Sequence, residues 1–241
     1  VKRKRVDASG GQGEKPPPGP GYGLRGFVRN SAVSWEDGVG KGAFREKADI
    51  VLASASPRRL ELLGSTGIAF RVIPSTVDEP PAEGGETPGG YALRMARLKA
   101  RDVALAHPGS WVLAADTVVA VGDHILGKPV DVEDAKRMLA MLSGREHTVV
   151  SGCVLVGPTG ETAWEEAPAS RVTFAELSEE AIAAYVATGE PMDKAGGYAI
   201  QGLGAFMIAR VEGSYTNVVG LPVAEVLREL LQVKAAGTRA V

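Results

Sequence analysis

A chain of 241 residues, 44% hydrophobic and 23% charged, has the length of one large domain or two small ones and the make-up of a globular protein with a real core. Its net charge of −2 hides an asymmetry: residues 1–48 carry ten Lys/Arg against five Asp/Glu, and residues 49–241 carry 17 against 24, so the body is acidic and is no general nucleic-acid binder. The single Cys153 excludes an internal disulfide framework and a cysteine zinc cluster. No apolar segment is long enough to span a membrane, and the basic N-terminus lacks the apolar stretch of a secretory signal, so a cytoplasmic location is the expectation.

Residues 1–48 read as a disordered N-terminal extension. They hold the basic run Lys2-Arg3-Lys4-Arg5, the run Pro16-Pro17-Pro18-Gly19-Pro20-Gly21 and scattered glycines without apolar period. The basic run reads as a solvated charged terminus, with a targeting or nucleic-acid patch as the alternative. From Asp49 the pattern becomes regular. Ile50–Ala53 predicts a strand and Pro57–Ser65 a helix, with Ser56 as N-cap and Pro57 at the first helical position. Phe70–Ile73 predicts a second strand, and Pro80–Pro88 a turn-rich loop. Tyr91, Leu93, Met95, Ala96, Leu98 and Val103 follow a helical period. Trp111–Val121 is one apolar run broken by Asp116-Thr117, leading into a hairpin around Gly122-Asp123. Val132–Leu142 predicts a helix. His147–Val156 and Trp164–Phe174 predict strands joined through Pro158-Thr159-Gly160. Ser178–Thr188 predicts a helix capped by Ser178, Ala205–Val211 a strand, and Leu221–Val233 a closing helix entered through Pro222. Residues 49–235 thus form one body, with 236–241 as a tail. Strands alternating with helices, and adjacent strands in the middle, predict an α/β fold with a mixed sheet.

Four clusters carry chemistry. In Leu52-Ala53-Ser54-Ala55-Ser56-Pro57-Arg58-Arg59 a strand stops at small hydroxyl residues and a helix starts at two arginines. The unpaired N–H groups of a helix N-terminus and two fixed positive charges are the parts of a phosphate cradle. Asp116 is a carboxylate inside an apolar strand. That position is costly unless the group is paired, binds a metal, acts as a base or caps the strand end. Asp78 and Glu79 directly follow a strand and, with Asp116, could supply oxygen ligands to Mg²⁺. Lys128, between Gly127 and Pro129, has a constrained direction, whereas Lys99 shows no role from its position alone. Glu190–Gly202 is polar and glycine-rich, as suits close approach of backbone to a ligand. Gln201 within it reads as a surface glutamine or as an amide pairing with a base edge. His147 reads as a structural histidine at a strand edge, with a general base as the alternative. No P-loop, no GxGxxG fingerprint, no Cys/His dyad and no convincing Ser-His-Asp set is present.

Taken in order, Leu52–Arg59, Ser75–Glu79, Leu98-Lys99-Ala100, Ala115–Val119, Gly127-Lys128-Pro129, Ser143–His147, Gly189–Gly202 and Asn217–Pro222 resemble the Maf family over residues 49–233. The resemblance implies a mixed twisted sheet flanked by helices around a deep nucleotide-binding cleft, similar to the inosine-triphosphate pyrophosphatases. It implies a nucleoside triphosphate pyrophosphatase, a hydrolase of acid anhydrides that yields a monophosphate and pyrophosphate with Mg²⁺ or Mn²⁺. Homodimers are frequent among such proteins, and neither nucleic acid nor membrane is an implied partner. The roles implied are Ser54, Arg58 and Arg59 on the phosphates, and Glu79 and Asp116 on the metal. Asp116 would also activate water, and Lys99 and Lys128 would neutralise charge on the leaving pyrophosphate. Thr117 and Gln201 would bind substrate, Gln201 helping to select the base. The form Asp193-Lys194-Ala195-Gly196-Gly197-Tyr198-Ala199-Ile200-Gln201-Gly202 is similar to the dTTP/UTP branch, which would serve house-cleaning of the nucleotide pool. At Val150-Ser151-Gly152 the chain departs from the family's more frequent aromatic and threonine before glycine. The same chemistry on 7-methyl-GTP or another purine, and a nucleotide-binding regulator of septum formation, are the alternatives.

Overall fold

The computed structural model describes residues 42–122 and 124–239. In chain order these form β1 (Phe44–Glu46), β2 (Ile50–Leu52), α1 (Pro57–Gly64), β3 (Arg71–Val72), α2 (Pro88–Ala106), β4 (Trp111–Val121) and β5 (His124–Leu126). There follow α3 (Val132–Leu142), β6 (Glu146–Val156), β7 (Thr162–Glu166), β8 (Ala169–Phe174), α4 (Glu179–Ala187), β9 (Ile208–Glu212), α5 (Tyr215–Val219), α6 (Val223–Gln232) and β10 (Ala236–Thr238). Short 3-10 turns occupy Glu190–Asp193, Ala195–Gly197 and Leu203–Met207.

Eight strands make one mixed sheet in the order β3-β2-β4-β6-β8-β9, with β5 added to β4 and β7 to β6. Strand β2 runs parallel to β3 and β4, and the other pairings are antiparallel. The mixed α/β class is therefore as expected. Side chains alternate between the two faces of a strand, and β4 and β6 divide their neighbours accordingly. Val112 and Ala114 of β4, with Val154 and Val156 of β6, pack against Ala96, Ala100 and Val103 of α2. Leu113, Ala115, Cys153 and Leu155 face the other way, onto Leu63 of α1 and Val226 and Leu230 of α6. Further along that second face, Val119 and Val149 pack with Leu139 of α3 and Ile182 of α4.

Three expectations are corrected. The stretch Trp164–Phe174 is two strands, because Pro168 interrupts it; β7 pairs with the end of β6 and β8 with its start. The stretch Ala205–Val211 opens as a 3-10 turn and becomes a strand only at Ile208. The regular structure also reaches past 49–235: β1 and β10 form a separate antiparallel pair, with Phe44 opposite Thr238. The basic run and the proline-rich run of the expected extension lie outside the described residues.

Candidate functional site

The site lies where the sheet is incomplete. Strand β2 pairs with β4 only as far as Leu52↔Leu113, and β5 rejoins β4 only at Val119↔Leu126. On its other edge β4 pairs with β6 continuously from Val112 to Ala120. Between Ala114 and Val118 one edge of β4 is therefore open, and Asp116 and Thr117 sit in that opening. The chain leaving β2 turns away there through Ser54–Ser56 into α1. A cavity of about 720 Å³ fills the gap. All nine residues expected at a site, Ser54, Arg58, Arg59, Glu79, Lys99, Asp116, Thr117, Lys128 and Gln201, line it.

Because Asp116 and Thr117 are consecutive on a strand, they point to opposite faces. On the α2 face, Lys99 reaches Asp116. Its Nζ donates to Asp116 Oδ1 at 2.6 Å and pairs with Glu79 Oε1 at 2.7 Å. One ammonium thus joins two carboxylates, leaving Asp116 Oδ2 and Glu79 Oε2 without a hydrogen bond among the described residues. Burial works against the charge on Glu79, but the bonded Lys99, with Lys128 and Arg59 nearby, outweighs it and holds the carboxyl below its ordinary range. Glu79 is delivered by a strap, residues 75–86, that α2 fastens along its length. Asp102 accepts from Ser75 Oγ and Thr76 N, Tyr91 donates to Pro80 O, and Arg94 donates to Pro81 O and pairs with Glu86. Lys99 had no positional signal in the sequence. It acquires its place because α2 carries it against the open edge of β4.

On the opposite face lies Arg59. Its Nε donates to Gly220 O at 2.8 Å, one terminal nitrogen to Ser54 Oγ at 3.2 Å and the other to Thr117 Oγ1 at 3.1 Å. Burial lowers its pKa and the charge of Asp116 works the other way; the guanidinium stays ionised. Arg58 makes no side-chain hydrogen bond or ion pair among the described residues and lines the same cavity. The two arginines that look alike in sequence thus divide: Arg59 is committed to the protein, and Arg58 is free to meet an anion. The cap is also different from expectation. Ser56 occupies the N-cap position of α1, but its side chain makes no capping bond, and Ser56 N donates to Ser54 Oγ instead. The side-chain cap is absent, Pro57 has no N–H and Arg59 N donates back to Ser56 O, so the first turn leaves the Arg58 N–H for a ligand.

Thr117 continues into a buried polar chain that the sequence did not single out. Its hydroxyl shares a hydrogen bond with Ser151 Oγ at 2.8 Å, and Ser151 donates to Asn217 O at 3.1 Å. Asn217 Nδ2 donates to Val149 O and Ser170 Oγ. The signals available were Ser151, a lone polar residue in the apolar stretch Val149–Val154, and Asn217, directly before Val218-Val219. The further wall is formed by Gly127-Lys128 and the segment 193–201, joined by Gly196 N donating to Gly127 O at 2.9 Å. Lys194, paired with Asp193, lines this wall too. His147 is structural. Its Nε2 bonds Tyr198 Oη at 2.8 Å, its ring stacks edge-on with Phe174 and Tyr198, and burial depresses its pKa to about 4. Cys153 is buried and its thiol is pushed up to about 12, so it is inert.

Two carboxylates with one unoccupied oxygen each, in a cavity that also holds Lys99, Lys128 and Arg58, suit Mg²⁺, which takes one or two carboxylates and completes its shell with water and phosphate oxygens. Among the described residues no group of three or more His, Cys, Asp or Glu side chains could hold a metal by itself, so such a site would need substrate oxygens. No helix among the described residues is long and apolar enough to cross a membrane.

A family model described as Maf-like protein matches residues 49–233. The dTTP/UTP pyrophosphatase of Geobacter sulfurreducens is 50% identical over 190 residues, spanning 79% of this chain and 99% of that protein. That of Nitratidesulfovibrio vulgaris is 52% identical over 191 residues, spanning 79% and 90%. That of Myxococcus xanthus is 53% identical over 176 residues, spanning 73% and 88%. Among solved structures, a nucleoside-triphosphatase / dITP/XTP pyrophosphatase from Mycobacterium abscessus aligns over 77% of this chain and 97% of its own, at 22% identity and a TM-score of 0.40.

Proposed function

The chain belongs to the Maf-like protein family, and from that premise we propose that it hydrolyses dTTP and UTP to the nucleoside monophosphate and pyrophosphate, clearing unwanted nucleotides from the pool. The observation that carries the proposal is the Asp116–Lys99–Glu79 cluster at the open edge of β4, facing the unengaged Arg58 across one cavity. The similarity to relatives named for dTTP and UTP supports the choice of substrate.

In this reading the triphosphate lies along the N-terminus of α1, with Arg58 and Lys128 on its oxygens and the backbone N–H groups of Ala55 and Arg58 as donors. Arg59 does not grip phosphate by itself; it stiffens Ser54 and Thr117 around it. Asp116, through Oδ2, takes a proton from a water that attacks the α-phosphorus. A new P–O bond forms to that water, the α–β bridging bond breaks, and the bridging oxygen departs with pyrophosphate. Lys99 and Lys128 offset the charge that gathers on the departing group. A divalent cation held by Glu79 and Asp116 would screen the phosphates and polarise their oxygens. Gln201, on the further wall, selects the base through its amide.

Pyrophosphate release from dTTP, UTP, CTP, GTP, ITP and 7-methyl-GTP, with Mg²⁺ or Mn²⁺ and with chelator, tests this. Metal-dependent release from dTTP and UTP is expected. A strong preference for 7-methyl-GTP overturns the substrate assignment, and nucleotide binding without turnover favours the septum regulator.

Lys99→Met gives a further expected result. Without the ammonium, the burial of Glu79 is unopposed at close range, and its carboxyl rises. Protonation then begins at higher pH, so the acid limb of the pH–rate profile moves up. An unmoved limb would show that Lys99 does not hold the Glu79 carboxylate ionised.

A further inference from the structure

We propose that Glu190 is a positioning residue for base selection: its carboxylate fixes the segment Tyr198–Gly204 and thereby sets where Gln201 meets the nucleobase. The inference rests on the reading of Gln201 given above. Residues 198–202 form neither helix nor strand, so no regular ladder holds them in place. What holds the segment is side-chain chemistry from α4 and the turn after it. Glu190 Oε1 accepts from Gly204 N at 3.1 Å and from Tyr185 Oη at 2.9 Å, and Oε2 accepts from Leu203 N at 3.1 Å. Tyr185 Oη in turn accepts from Ala199 N at 3.2 Å. One carboxylate and one phenol thus bind three backbone N–H groups on both sides of Gln201.

The local sequence is built for this contact. Gly202 has φ 116° and ψ −149°, a backbone region open essentially to glycine, and a Cβ there would lie 2.8 Å from Glu190 Oε2. A Cβ on Gly204 would lie 2.6 Å from Ala199 O and 2.8 Å from Tyr185 Oη. The segment therefore closes onto the Glu190–Tyr185 pair with no room for side chains between. At its start the segment is anchored separately, by Tyr198 on His147. Loss of Glu190 would free the part that follows, which carries Gln201, without unpacking Tyr198 from the core. Arg58, Lys128 and the Lys99 cluster stand on other elements.

This separation defines the test. In Glu190→Ala, KM for dTTP and UTP should rise about tenfold with kcat within about twofold, the size expected for losing charge-assisted hydrogen bonds that only orient a binding group. Discrimination against CTP and 7-methyl-GTP should fall. The inhibition constant of inorganic pyrophosphate, which has no base, should stay within about twofold. Glu190→Gln, which keeps one acceptor oxygen, should lie between wild type and Glu190→Ala. Hydrogen exchange gives a readout free of turnover: the Leu203 and Gly204 amides should lose protection in Glu190→Ala while those of α2 and β4 keep theirs. An equal rise for pyrophosphate and for nucleotide would overturn the proposal, as would unchanged KM and discrimination in a variant whose two amides have lost protection. If wild type turns over neither dTTP nor UTP, the substrate reading fails on its own. The amide result and the base discrimination of whichever nucleotide is bound still decide the role of Glu190.

Discussion

Asp116→Asn is expected to lower turnover by about three orders of magnitude, the middle of the range for removing a general base, and to leave the fold intact. The substitution is nearly isosteric. The asparagine oxygen can still accept from Lys99 Nζ, now bonded to Asp116 Oδ1 at 2.6 Å, and Lys99 keeps Glu79 as its second partner. The backbone of residue 116 remains paired with Gly152 across β4 and β6. What is lost is the proton acceptor at Oδ2, together with one of two oxygens offered to a cation. The melting temperature should therefore shift by no more than about 3 °C, as suits a change below about 1 kcal/mol in a domain of this size. Steady-state release of pyrophosphate, measured beside a thermal melt, checks both halves. Near-normal turnover would take the proton-accepting role from Asp116 and leave Glu79 as the candidate. A collapse of stability would instead show that the carboxylate is needed to balance Lys99.

Much of this site was legible because chemistry interrupts pattern. Asp116 stands out in an apolar strand, and Ser54–Arg59 shows a strand end, a proline and two charges within a few residues. Lys99 and Glu79 could not be paired from sequence, since the pairing depends on α2 strapping residues 75–86 across the mouth of the cavity. The difference between Arg58 and Arg59 was hidden for the same reason. It arises from Gly220 O, which lies 161 positions along the chain from Arg59. The opening in the sheet is a property of which strands stop where, not of any periodicity within β4. Strands β1 and β10 left no signal either, because three-residue strands are below the reach of a period-two pattern and their partners lie at opposite ends of the body. The break at Pro168 was masked by the β-branched and aromatic residues on both sides.

Gly152→Ala should have the largest effect on stability, and it should damage the site from a distance. A Cβ on Gly152 would lie 2.3 Å from the carbonyl carbon of Ala92 and 2.5 Å from its oxygen, so backbone of α2 meets backbone of β6 with no flexible side chain to yield. Overpacking of this kind costs about 1–3 kcal/mol or more, which lowers the melting temperature by about 3–10 °C in a domain of this size. The functional consequence follows from geometry. Gly152 is directly opposite Asp116, so both face α2. Lys99 stands seven residues beyond Ala92, two turns along the same face of α2. The close approach that glycine permits at Ala92 is thus the same approach that brings Lys99 Nζ to Asp116 and Glu79. An α2 lifted from the sheet carries Lys99 and the strap away from the open edge of β4. Turnover should fall about tenfold or more at temperatures where the variant is still folded, in line with the cost of misplacing a charged group by about 1 Å. Gly64→Ala is the control. Nothing lies within 4 Å of the Cβ it would add at the end of α1, and its effect should stay within about 0.5 kcal/mol. A stable, fully active Gly152→Ala protein would mean that α2 can slide without losing the Lys99 contacts. The distance between helix and sheet would then not set the geometry of the carboxylate pair.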